Sequence, residues 1–96
     1  MATYIVLARM TQQGVQTAKE IPKRRAAAKE AAQALGLDLR EAYLTMGKYD
    51  VVLILDAPNG EAMAKFVLKI GAWGNLTTQT LRAFSDSEAD AIVSDL

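Results

Sequence analysis

The sequence predicts an α+β fold with the element order βαββαβ and a further C-terminal helix. Three observations carry that prediction. Val51 to Leu55 is an unbroken apolar run, introduced by Gly47-Lys48-Tyr49-Asp50 and stopped at Pro58, and reads as a strand covered on both faces. Thr3 to Met10 is a second strand of the same kind, with Arg9 its only charge. Two segments of helical spacing then each lead into a strand of alternating character.

Thr11-Gln12-Gln13-Gly14 breaks the first strand, with Thr11 placed to cap one short helical turn. Pro22 suits the first residue of a helix, where its fixed φ and missing donor do no harm. From Pro22 to Leu35 the helical spacing falls on Ala28, Ala31, Ala32 and Leu35, and Gly36 closes the segment. An alanine face lets this helix lie close on a sheet. Lys19, Lys23, Arg24, Arg25 and Lys29 form a basic face, read as solvated, with phosphate binding as the alternative.

Leu39 to Met46 is the second strand: Ala42, Leu44 and Met46 point one way, Glu41, Tyr43 and Thr45 the other. Gly47 then reverses the chain into the central run, and Asp50 is suited to bond back to nearby amides. The other reading of this hairpin has Tyr49 and Asp50 facing a ligand. Asn59 is an N-cap, and Met63, Phe66, Val67 and Ile70 make one stripe of the helix that follows. That helix ends in Gly71-Ala72-Trp73-Gly74, where Trp73 serves either core packing or the wall of a cavity. In the fourth strand, Asn75 to Phe84, Leu81 and Ala83 share one face and Thr78, Thr80 and Arg82 the other. Ser85-Asp86-Ser87-Glu88 is a capping box, followed by Ala89, Ile92, Val93 and Leu96 at helical spacing. So short a helix is marginal alone and needs a docking surface, a second protomer being one.

This order is the split βαβ, or ferredoxin-like, arrangement. Right-handed crossovers place both long helices on one face of a four-stranded antiparallel sheet, with the first and third strands central. The other face is left bare and apolar, which marks an interface. A second copy would bury on the order of 800 Å² per partner there. The expectation is therefore a face-to-face homodimer or higher even oligomer, a dimeric α+β barrel. The polar sets Glu41, Tyr43, Thr45 and Thr78, Thr80, Arg82 are expected to line its seam.

Composition narrows the function. At 96 residues the chain is expected to form one domain, 1–96. It has neither Cys nor His, which removes thiolate sites, the commonest metal ligand and the usual general base. No metal and no cofactor are expected, since Asp-only coordination has no spacing to recommend it. The absence of a signal-type apolar segment or an 18-residue apolar run predicts a cytoplasmic protein without membrane contact. Residues 1–48 hold eight Lys/Arg against four Asp/Glu, a surplus of +4, and residues 49–96 three against seven, −4. That split reads as complementary surface rather than a nucleic-acid footprint. Of aromatics for base stacking the central strands offer Tyr4 alone, and a phosphate loop is absent, so no nucleic-acid partner is expected.

Gly47-x-Tyr49-Asp50, Thr11-x-x-Gly14 and Asn75-Leu76-x-Thr78-x-Thr80-Leu81-Arg82-Ala83-Phe84 together resemble the GYD-domain family. The Ala-rich, basic first helix departs from its pattern. The resemblance implies membership of the dimeric α+β barrel group. That group includes the effector-binding and assembly domain of leucine-responsive-type regulators, cofactor-independent monooxygenases, muconolactone isomerases and haem-dependent enzymes. The expected function is a homo-oligomeric, non-enzymatic module that binds a small metabolite or a partner protein. Its candidate ligand residues are Arg9, Tyr43, Tyr49, Asp50, Trp73, Thr78, Thr80 and Arg82, with Arg9 or Arg82 gripping a carboxylate by two hydrogen bonds. The alternative is a cofactor-independent isomerase or monooxygenase, with Asp50 or Glu41 as general base and Tyr43 or Tyr49 as acid. Convergence of Asp50, Tyr43 and Arg82 on one enclosed space separates ligand binding or catalysis from plain assembly.

Overall fold

The apolar runs take the centre of the sheet. In the computed structural model, which describes residues 1–96, the strand order is β2-β3-β1-β4, all antiparallel. β1 (Ala2–Met10) and β3 (Val51–Ala57) are central, β2 (Asp38–Leu44) and β4 (Leu76–Ala83) form the edges. α1 (Gln12–Gln16) and a 3₁₀ turn (Ala18–Glu20) lead into α2 (Ile21–Ala34); α3 (Gly60–Ala72) joins β3 to β4, and α4 (Asp86–Val93) follows β4. The fold is ferredoxin-like, as the element order predicts.

The core lies between the two long helices and one sheet face. Val6, Leu53 and Leu55 meet Ala31 and Ala32 of α2 and Met63, Phe66 and Ile70 of α3. Each anticipated cap is present: the Thr11 hydroxyl accepts from the Gly14 amide, Asn59 Oδ1 from Ala62, and Ser85 with Glu88 closes a full capping box. The last bond, from the Ser85 backbone amide, holds the Glu88 carboxyl below the usual carboxylate range.

β2 departs from simple alternation. It ends at Leu44, not Met46, and its register slips between Leu39 and Glu41. The Thr45 amide donates to Asp50 O at 2.8 Å and its hydroxyl to Tyr49 O at 2.7 Å, closing the hairpin loop, so Met46 hangs free at 97 % exposure. Gly47 sits at φ 101°, a conformation in which a side chain is strained. The bulge lets Leu39 and Ala42 both pack against the core.

The second departure concerns the phase of β4. Register places Thr80 opposite Val6, Thr78 opposite Ala8 and Arg82 opposite Tyr4, all on the helix side of the sheet. Thr78, Thr80 and Arg82 therefore do not line the bare face. Leu81 does, opposite Ile5, together with Gln79 opposite Leu7. Polar residues are tolerated on the helix side of β4 because Thr80 and Arg82 remain exposed there and no β4 residue enters the buried core.

The third is α4. It forms as its box and stripe dictate, yet none of its residues is buried. Ile92 and Val93 are about half exposed and Leu96 almost wholly so. The radius of gyration is 14.4 Å, against about 12.5 Å for a compact chain of this length, and the longest dimension is 50 Å.

Candidate functional site

Two surfaces remain once the core is accounted for. The first is the bare sheet face. Along it Ile5 sits between Ile54 and Leu81, and Leu7 between Val52 and Gln79, giving five aliphatic side chains that the chain's own helices leave uncovered. Glu41 and Tyr43 extend the same rows across β2.

One end of this face carries a polar cluster. The Arg9 guanidinium lies 5.5 Å from the centre of the Tyr49 ring and Lys48 Nζ 5.8 Å, within cation–π range. The Tyr49 hydroxyl donates to Gln79 Oε1 at 2.9 Å. Arg9 and Tyr49 are thus brought together as a ligand site would require. Gln79 joins them unforeseen; the alternation of β4 puts it on this side, but the sequence holds no signal that ties it to Tyr49.

Asp50 has a different role. Its amide donates to Ala8 O and its Oδ2 accepts the Met10 amide, each at 2.8 Å. The carboxylate continues the β1–β3 ladder past Val51, satisfying a donor that the ladder no longer reaches. Asp50→Ala is expected to lower stability by about 1–2 kcal/mol by leaving that amide unpaired, and Asp50→Asn, which keeps an acceptor oxygen, by less than half as much. Urea denaturation of the two variants checks this; equal losses would show that the bond itself contributes little.

Tyr43 and Glu41, two apart on β2, share a side of the strand. The Tyr43 hydroxyl donates to Glu41 Oε2 at 3.1 Å, and this bond with the carboxylate's charge raises the phenol above its ordinary pKa. A raised phenol is a poorer proton donor at neutral pH. Arg82 is at the far end of the sheet on the other face. It donates to Thr3 O at 3.2 Å, lies 3.8 Å from Glu88, and stacks on Phe84 and Tyr4 at 4.3 and 5.7 Å. Asp50, Tyr43 and Arg82 do not converge on one space.

The second surface is a half-open cavity of about 100 Å³ between α2 and the sheet, at the hairpin end. Its walls include Met10, Ile21, Leu39, Leu44 and Val51, and Trp73 stands among them at the C-terminus of α3. Arg24, Arg25 and Asn75 supply its polar groups. Arg24 Nη2 donates to Gly14 O and Thr17 O at 3.1 and 2.6 Å, while its buried Nε has no acceptor. The basic face of α2 is thus partly structural, since Arg24 braces α1 and the turn before α2. No group of three or more acidic side chains gathers to hold a metal, and no helix is long and apolar enough to cross a membrane.

The profile of the GYD domain family matches residues 4–93. A Thermus thermophilus protein named as a glutamine synthetase and cystathionine beta-lyase binding protein is 30% identical over 84 residues, 86% of this chain and 88% of that one. The crystal structure of TTHA0845, also from Thermus thermophilus, superposes with a TM-score of 0.57 at 29% identity, covering 88% of this chain and 95% of the other. The structure of FFRP-DM1 reaches 0.61 at 21% identity, covering 88% and 100%, and shares the fold.

Proposed function

This chain belongs to the GYD-domain family, and on that footing we propose that it is a homo-oligomeric, non-catalytic module that binds a partner protein. The observation that carries the proposal is the bare aliphatic face of Ile5, Leu7, Val52, Ile54 and Leu81. A central apolar patch of that kind is an interface in waiting, and a second copy of the same sheet matches it by symmetry. The Arg9–Tyr49–Gln79 cluster then lies at the rim, where polar groups set orientation more than affinity.

The groups a catalyst would need support the non-catalytic reading. The carboxylate of Asp50 is held by the Met10 amide, and the phenol of Tyr43 by Glu41. The Thermus relative's name supplies the partner class: an enzyme such as glutamine synthetase or cystathionine beta-lyase.

Light scattering on the purified protein, followed by calorimetric titration against those two enzymes from its own organism, tests both halves. A dimer or an even multiple, with saturable heat against at least one enzyme, is expected. A monomer would refute the assembly; an oligomer silent against both enzymes would refute the partner class.

A further inference from the structure

The cavity beneath α2 and the unburied helix α4 have complementary chemistry. The cavity is apolar, with Arg24 and Arg25 in its lining and one buried guanidinium nitrogen lacking an acceptor. Leu44 and Trp73 at its walls are 70 % and 36 % exposed, so they present aliphatic and aromatic surface to whatever approaches. α4 is the mirror of this: an aliphatic stripe of Ala89, Ile92 and Val93, with Asp86 and Asp90 on the same helix and Asp95 just beyond. We propose that α4 of one copy docks over this cavity on a second copy, its aliphatic residues entering the groove and its aspartates meeting Arg24 and Arg25.

α4 does not lie on its own groove, and none of its residues is buried. α4 leaves the sheet beyond Ala83, which pairs with Thr3, whereas the groove is at Met10 and Leu76, seven residues further along β1. At roughly 3.3 Å per residue the two ends are about 23 Å apart, and the connection is only Phe84 and Ser85. A second copy supplies the helix without moving α4 from the end of its own sheet. Size favours side chains over an enclosed metabolite: the cavity's volume of about 100 Å³ is below the roughly 150 Å³ that takes up a benzene and far below the roughly 300 Å³ at which small-molecule pockets begin. An acidic helix also matches the basic lining, because carboxylates pair with accessible guanidinium groups.

This docking rests on the reading of the chain as self-associating, and one experiment separates the two. The sequence has no Cys, so cross-linking has no background. Leu44→Cys at the groove and Val93→Cys on α4 are made in separate chains, mixed and mildly oxidised. The mixed disulfide is expected to form at least about tenfold faster than with a Leu68→Cys control on α3, through the local concentration that docking creates. Arg25→Glu in the groove chain should slow it, and Asp90→Lys in the helix chain should restore it. No preference over the control overturns the docking, as does faster linkage of Val93→Cys to itself, which would mean that α4 pairs with α4. A small carboxylic acid retained in native mass spectra, with Leu44→Cys left unlinked, overturns it in favour of a ligand. A sheet-face dimer without the mixed disulfide sinks the docking alone. The mixed disulfide in a protein whose mass is unchanged by Ile54→Glu sinks the sheet-face reading alone.

Discussion

Gly14→Ala is expected to lower the free energy of unfolding by about 3 kcal/mol, through overpacking of about 1–3 kcal/mol and a strained backbone hydrogen bond of about 1 kcal/mol. The backbone at Gly14 is ordinary helix with no positive φ, so the reason is space. A Cβ there would overlap the Asn75 carbonyl oxygen, a backbone atom that cannot swing aside. That oxygen already accepts the Thr11 amide at 3.0 Å, and the Thr11 hydroxyl reaches Gly74 O at 2.6 Å. Thr11 and Gly14 thus clamp the start of α1 onto the junction between α3 and β4. Relieving the clash means parting α1 from that junction, where Arg24 is also anchored through Gly14 O. A chain of this length has about 5–14 kcal/mol in total, so the urea midpoint should fall conspicuously. Gly71→Ala in α3 is the internal control. A Cβ there meets nothing within 4 Å, and relief of glycine's backbone entropy in a helix should add about 0.5–1 kcal/mol. Equal midpoints for the two variants would refute the steric account.

Ile54→Glu should convert the proposed assembly to monomers while leaving the fold nearly intact. Ile54 is in the middle of the bare face, between Ile5 on β1 and Glu41 on β2. In the protomer it is only half-buried, so a glutamate there can turn its carboxylate to water. Against a second sheet the same carboxylate would be buried without a partner and beside the like charge of Glu41. An uncompensated buried charge costs about 3–5 kcal/mol, equivalent to weakening self-association on the order of a thousandfold. Sedimentation equilibrium over a concentration series reads the change, and circular dichroism confirms that the fold persists. Retention of the parent mass would place the interface elsewhere.

Where the determinants are local, the sequence is a reliable guide. Thr11, Asn59 and the Ser85–Glu88 box each bond to an amide three residues on, so their roles follow from spacing alone. The central position of β1 and β3 follows from their two-sided apolar runs, and the close packing of α2 from its alanines. From the sequence Asp50 reads as a turn residue, a ligand residue or a general base; its partner, Met10, is 40 positions away and only tertiary proximity reveals it. Arg82 illustrates the same limit. Its alternation with Leu81 is plain from the sequence, but alternation has two phases, and only the register with β1 chooses between them.

The residue pattern by itself determined the element order, the caps and the existence of a bare sheet face, because each depends on periodicity or on bonds between near neighbours. The tertiary structure decided which β4 residues join that face, that the Leu39–Glu41 slip puts Leu39 and Ala42 on one side, and that α4 finds no docking surface on its own protomer. It also placed the basic-lined cavity at the end of the sheet opposite α4. These depend on pairing register and on distances between segments far apart in the chain, which a one-dimensional pattern of apolar and charged residues does not encode.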